Sequence, residues 1–104
     1  MKLIELIQNI RQLYHPDEVQ VIYGKRVNGQ WEEDSPVEIH LFNEINQEKF
    51  IGELEYLLEL DLAIESMEVA QAWFGSSKRL TDHQNMLAVI HYAEYDAYIS
   101  SLDV

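Results

Sequence analysis

The chain contains no cysteine. That excludes a disulfide framework, a thiolate metal site and a cysteine nucleophile. Basic residues are scarce: seven Lys and Arg stand against nineteen Asp and Glu, for a formal net charge of −12. A field of that sign repels nucleic-acid phosphates and anionic membrane surfaces, and it attracts a basic partner. Direct nucleic-acid binding and membrane binding are therefore set aside. No apolar run approaches the ~20 residues that cross a bilayer. The opening MKLIELIQNI mixes polar and apolar residues, unlike a secretory signal. These absences together point to a cytoplasmic protein.

What is present suits one small globular unit. The 104 residues, 47% of them hydrophobic, fit a single domain spanning 1–104 with one core. The charge is uneven. Residues 1–30 carry +1, residues 31–74 carry −11 with Lys49 as their single base, and residues 75–104 carry −2. There is no internal repeat, linker or low-complexity tract.

Leu3, Leu6, Ile7, Ile10, Leu13 and Tyr14 recur at helical spacing, so a helix is expected over 2–14. His15-Pro16 ends it, because a residue before proline is pushed from helical angles. Val19, Val21 and Tyr23 alternate with Gln20 and Ile22 as a strand. Gly24 closes that strand, and Asn28-Gly29 is the strongest turn signal in the chain. The acidic Glu32-Glu33-Asp34 follows as a solvated loop or frayed strand. Val37, Ile39 and Leu41 then alternate as a second strand, with Pro36 at its start.

From Gln47 the spacing becomes helical through Phe50, Ile51, Leu54, Leu57 and Leu58. The segment LELDLAIES (58–66) fits two descriptions. Leu60, Leu62 and Ile64 alternate as in a strand, while the same residues are good helix formers, so one helix over 47–74 competes. The strand is preferred, because two strands alone make a poor sheet. Met67 to Phe74 reads as helix, stopped by Gly75-Ser76-Ser77. Thr81 and Gln84 form a capping-box signature. A last helix is expected over 82–102, burying Met86, Val89, Ile90, Ala93, Ala97 and Tyr98. The expected fold is α+β: a small, mostly antiparallel sheet of two or three strands, with an N-terminal helix and two C-terminal helices packed on it.

The stretch VQVIYGKRVNGQWEEDSPVEIHLF (19–42) resembles the active-site hairpin of the minimal nucleotidyltransferases of the polymerase-β-like superfamily. In that family a helix precedes a strand ending in Gly-Ser, an Arg-bearing turn with a second Gly follows, and the next strand opens with Asp-Ser-Asp-x-Asp. Here Gly24 and Gly29 match the two glycines, Lys25 replaces the serine, and Arg26 follows. Asp34-Ser35 match the start of the acidic motif. Pro36 then occupies the first metal-ligand position and Glu38 replaces the second Asp. The resemblance covers residues 2–64. It implies nucleotide binding at Gly24, Lys25 and Arg26, and metal binding at Glu38 with Asp61 as the carboxylate of a later strand. Two carboxylates fall short of a two-metal clamp, which leaves room for one weakly bound magnesium at most. The resemblance thus implies a pseudoenzyme with no required cofactor. Small stand-alone members of that family often serve as antitoxins to an RNA-cleaving toxin.

Other constellations are structural or binding features. Glu38 and His40, two apart on a strand, share a face, and a structural histidine accounts for them. Arg11 with His15, and Arg79 with His83, fit helix ends and loops better than an acid–base pair. His83 and His91 are eight apart on the last helix, too far for one ligand pair. No Ser-His-Asp order or phosphate-cradling Gly-rich loop stands out. Tyr92, Tyr95 and Tyr98 follow each other at three-residue spacing, with Trp73 and Phe74 upstream. Core packing is the plain explanation. The functional one is an interface, ringed by Glu94, Asp96 and Asp103, for a basic protein or a second copy. The acidic triplet Glu32, Glu33 and Asp34 suits the same kind of partner.

These readings converge on binding. The first is a non-catalytic, nucleotidyltransferase-like regulator of another protein, with a toxin-like partner. The second is an unrelated acidic inhibitor or immunity-type protein that blocks a basic nuclease or nucleic-acid-binding protein.

Overall fold

The computed structural model describes residues 1–42 and 48–102. Gln47 and Asp103, named above, lie outside the described residues. Helix α1 (Leu3–Leu13) buries Leu3, Leu6, Ile7 and Ile10, the stripe that its periodicity marks. The Lys2 amide donates to the Glu5 carboxylate at its start (2.8 Å). The chain then extends before Pro16, and strand β1 (Gln20–Gly24) is buried along its whole length.

Strand β2 (Val37–Leu41) pairs antiparallel with β1, with Ile22 opposite Ile39. The connection turns at Asn28 and Gly29, both at positive φ (53° and 78°), between the bridged residues Val27 and Gln30. That is the backbone the Asn-Gly pair requires.

Residues 50–59 correct the expectation of a helix. They form a hairpin, β3 (Phe50–Ile51) and β4 (Leu54–Glu59), with Gly52 at φ 60° in its turn. β4 also pairs with β1, so the sheet has four strands in the order β2–β1–β4–β3, all antiparallel. The misleading periodicity has a physical cause. Ile22 faces Leu58 and Tyr23 faces Tyr56, so β4 carries one extra residue, Leu57, against β1. This bulge turns both Leu57 and Leu58 into the core. Leu54, Leu57 and Leu58 then mimic helical spacing.

The preferred strand over 58–66 is also corrected. Only its first two residues extend; Leu60–Ala70 is helix α2. The alternation of Leu60, Leu62 and Ile64 is overruled because Leu60, Ala63, Met67 and Ala70 make a helical stripe that is buried. A π-helical turn, Gln71–Gly75, continues it. Helix α3 (Asp82–Tyr95) starts with the expected capping box: the Gln84 amide donates to Thr81 Oγ1 (3.1 Å), and the Thr81 amide to Gln84 Oε1 (2.8 Å). It ends seven residues short of Leu102, because Asp96 turns left-handed (φ 54°, ψ 37°). The protonated Nδ1 of His91 then donates to the Ala97 carbonyl (3.0 Å), leaving Ala97 exposed rather than buried.

The three helices cover one face of the sheet. Leu3, Leu6, Ile10, Ile22, Val37, Leu58, Leu60, Met86 and Val89 form the main core there. Each such side chain contributes ~1.5–3 kcal/mol when buried. Val21 and Tyr23 face the other way, packed with Ile51 and Leu54. No helix among the described residues is long and apolar enough to cross a membrane.

Candidate protein-binding surface

The sequence-marked residues fall mostly in two regions, the β1–β2 hairpin and the π-turn with the end of α3; Asp61 lies apart, on α2. In the hairpin, Gly24 is buried at the end of β1. A Cβ there would stand 2.8 Å from the Pro36 carbonyl oxygen, 2.8 Å from Val37 and 3.0 Å from Trp31. Close strand approach over a buried indole therefore explains this glycine. Its neighbours are engaged. Lys25 Nζ lies 3.5 Å from Glu53. Arg26 is held by Glu55 (3.1 Å) and Glu94 (3.3 Å), and its guanidinium lies 5.0 Å over Trp31. The Glu55 hydrogen bond comes first among the contacts that raise its pKa. Both cations marked for nucleotide thus face carboxylates of β4, its turn and α3.

The acidic triplet is built into the fold as well. Ser35 is fully buried, and its Oγ accepts from the Glu32 amide (2.8 Å). The Glu33 carbonyl accepts from the Ile4 amide (3.1 Å), which satisfies a free donor at the start of α1. The Glu33 carboxylate lies 2.8 Å from His83, and Asp34 lies 3.2 Å from Lys2. These side chains remain more than half exposed, so the pairs are individually weak.

Glu38 and Asp61 stand on different elements. Glu38 is on β2, 3.0 Å from His40 as their spacing implies. Asp61 is in the first turn of α2, where its carboxylate accepts from the Leu62 amide (2.8 Å). They line separate hollows: Glu38 beside Leu13 and Ile39, Asp61 beside Tyr14 and Val19. Among the described residues, no three His, Cys, Asp or Glu side chains gather where a metal would be held.

The aromatic residues do come together. Trp73 contacts Tyr98 edge-on (5.9 Å) and Phe74 (6.4 Å), and Tyr98 contacts Tyr92 (5.4 Å). Tyr95 points elsewhere, its ring tilted at 45° against His91 with the centroids 4.8 Å apart. This grouping depends on the early end of α3, which folds Tyr98 back along Tyr92. Trp73 is 60% exposed and Tyr95 67%. Burial and a hydrogen bond to the Glu65 carboxylate raise the Tyr98 pKa above the usual 10.0. Glu65 carried no signal in the sequence as part of this surface; it reaches Tyr98 from another helix.

The π-turn presents Trp73. Gln71, at its start, donates from Nε2 to the Lys78 carbonyl (2.9 Å) and accepts from the Leu80 amide at Oε1 (2.9 Å). Its side chain crosses Gly75 so closely that a Cβ there would meet Nε2 at 1.9 Å. The clamp fixes a widened turn of a kind concentrated at functional sites. His83 and Tyr92 lie about 14 Å apart along α3 at 1.5 Å per residue. The acidic loop and the aromatic group thus sit toward opposite ends of that helix.

No protein-family model matches the chain, and neither a curated protein nor a solved structure matches it.

Proposed function

We propose that this chain is a non-catalytic regulator that works by binding a basic protein, with a toxin-like protein or a nuclease as the partner class. The observation that carries this reading is Trp73. A tryptophan 60% exposed on a clamped π-turn, edge-on to Tyr98, has the features of an interface anchor. The net charge of −12, with Glu65 on Tyr98 and Asp96 close by in sequence, supports a cationic partner over an acidic one. The antitoxin-type and inhibitor-type readings differ in ancestry, and the inhibitor-type reading also draws on the acidic Glu32, Glu33 and Asp34. The carboxylates around Lys25 and Arg26, and the separation of Glu38 from Asp61, favour binding over nucleotide chemistry.

The test compares the native chain with Trp73→Ala as baits. A protein retained by the first and lost by the second is identified, purified and titrated against both. A basic partner, weakened at least about tenfold by Trp73→Ala and weakened further by salt, is the expected result. An acidic partner, or association indifferent to salt, overturns the reading. Magnesium-dependent nucleotide turnover lost in Glu38→Ala overturns its non-catalytic part.

A further inference from the structure

Val21 and Tyr23 floor a hollow of about 320 Å³ on the sheet face that the helices leave uncovered. That is the small end of the ~300–1,000 Å³ range of ligand pockets, room for one large side chain. Its walls are the rings of Tyr56 and Phe42, 39% and 37% exposed. Tyr56 stands edge-on to Tyr23 (6.0 Å, 85°). Glu48, Lys49 and Glu59 form the rim. The first two are pinned through their carbonyls: Glu48 accepts from the Tyr23 hydroxyl, and Lys49 from the Tyr56 amide (2.8 Å).

The rim carboxylates are uncompensated. Among the described residues, which include every lysine, arginine and histidine of the chain, neither Glu48 nor Glu59 forms an ion pair. Glu59 holds the N-cap position of α2 without a side-chain cap hydrogen bond, so its carboxylate is not committed to the helix. Lys49 pairs with neither; its ammonium lies over the Phe50 ring at 5.8 Å. Asp17 and Glu18, beside a second hollow that shares Phe42, are equally free of ion pairs. Both phenols lie in this negative field. Burial first, then Glu48, raises the Tyr23 pKa, and burial first, then Glu59, raises that of Tyr56.

We infer that this hollow receives an arginine side chain of a protein partner, its guanidinium against Tyr56 and Phe42 and between the carboxylates of Glu48 and Glu59. A guanidinium is planar, sheds water more readily than an ammonium and stacks on aromatic faces while donating to carboxylates. The chain already holds one in this way. Arg26 lies 5.0 Å over the Trp31 ring, with Glu55 at 3.1 Å and Glu94 at 3.3 Å. In the hollow the same parts, aromatic rings and two carboxylates, stand without a guanidinium. An acidic side chain would meet Glu48 and Glu59, and an apolar one would leave both uncompensated. The inference shares with the proposed function only the sign of the partner's charge; it does not use Trp73.

The probe is arginine capped as N-acetyl-arginine methylamide, titrated into the native chain while the ring resonances of Tyr56 and Phe42 are followed by NMR. Saturable shifts at millimolar probe are expected, with none from the citrulline counterpart, which has the same shape without the charge. The rim then gives a test of sign. Glu59→Gln should weaken binding about threefold and Lys49→Gln should strengthen it by a similar factor, since each changes one exposed charge and no packing. Tyr56→Leu, which removes the aromatic wall, should weaken it by at least about as much. Trp73→Ala should leave it unchanged, so failure here and failure of the aromatic anchor are read separately. The inference is overturned if neither ring responds, if the citrulline compound binds equally, or if Glu59→Gln and Lys49→Gln do not move the affinity in opposite directions. Tighter binding of tetramethylammonium than of capped arginine also overturns it, by assigning the hollow to a free small cation.

Discussion

The hairpin and the aromatic group teach opposite lessons about exposed chemistry. The hairpin collects residue types associated with catalysis: two glycines, Lys25, Arg26, Asp34 and Glu38. Its cations are engaged by Glu53, Glu55 and Glu94, and its glycine is occupied by Trp31 and Pro36. The aromatic group collects residue types associated with cores, yet Trp73 and Tyr95 stand mostly in solvent. Charged residues in the hairpin are already paired within the fold, and aromatic residues on the π-turn and at the end of α3 are free to meet something else. Residue type alone would have assigned the two regions the other way round.

Removing the indole beneath the hairpin should have the largest effect. Trp31 is 7% exposed, joins the main core and carries Arg26 on its ring. Trp31→Ala should cost about 3–5 kcal/mol of stability, read from the denaturant midpoint. A loss below about 1 kcal/mol would mean that the hairpin is not anchored as described. Gly24→Ala comes next, at about 1–3 kcal/mol, because the new Cβ forces the Pro36 carbonyl or Val37 to move. Nucleotide binding would have to account for Gly24 instead if the variant were as stable as its parent.

Much of this fold was legible in the sequence. Helix α1, the Asn28-Gly29 turn and the Thr81 capping box follow from short-range rules: one apolar stripe, two residues that tolerate positive φ, one reciprocal side-chain bond. The β3–β4 hairpin was not legible, because the bulge at Leu57 erases the two-residue alternation that marks a strand. Nor was the start of α2, where Leu60, Leu62 and Ile64 alternate although the helix is decided by Leu60, Ala63 and Met67 packing in the core. For the candidate surface, the aromatic residues themselves could be picked out. Their grouping could not, since it depends on Asp96 breaking α3 and on Glu65 reaching Tyr98 from α2.

Alkaline titration sharpens the comparison without a substitution. Burial first, then the Glu48 carboxylate, raises the Tyr23 pKa above 10.0; burial, then Glu59, does the same for Tyr56. The Tyr23 hydroxyl also donates to the Glu48 carbonyl. Tyr98 is raised as well. In each case the folded state favours the protonated phenol. The stabilisation is therefore complete below the unfolded pKa of about 10 and is lost as pH climbs through the higher folded values. Denaturant midpoints should hold steady up to that point and fall above it, and the tyrosinate absorbance of these three residues should rise late. Tyr23→Phe should blunt the fall. A midpoint that drops well below the ordinary tyrosine range would assign alkaline instability to other groups.

The smallest expected change in stability is the most informative about function. Trp73→Ala removes a large side chain from solvent and from edge contacts with Tyr98 and Phe74, and it leaves the Gln71 clamp untouched. Its cost should stay within about 0.5 kcal/mol, as for surface substitutions away from packed features. Gly75→Ala is the counterpart: it displaces the Gln71 amide that the π-turn depends on, while Trp73 itself remains. If the turn exists to present the indole, both variants should lose the same partner, the first with native stability and the second with a measurable loss. If Trp73→Ala instead destabilises the chain as Trp31→Ala does, the indole is holding the fold together, and the contrast between the two regions disappears.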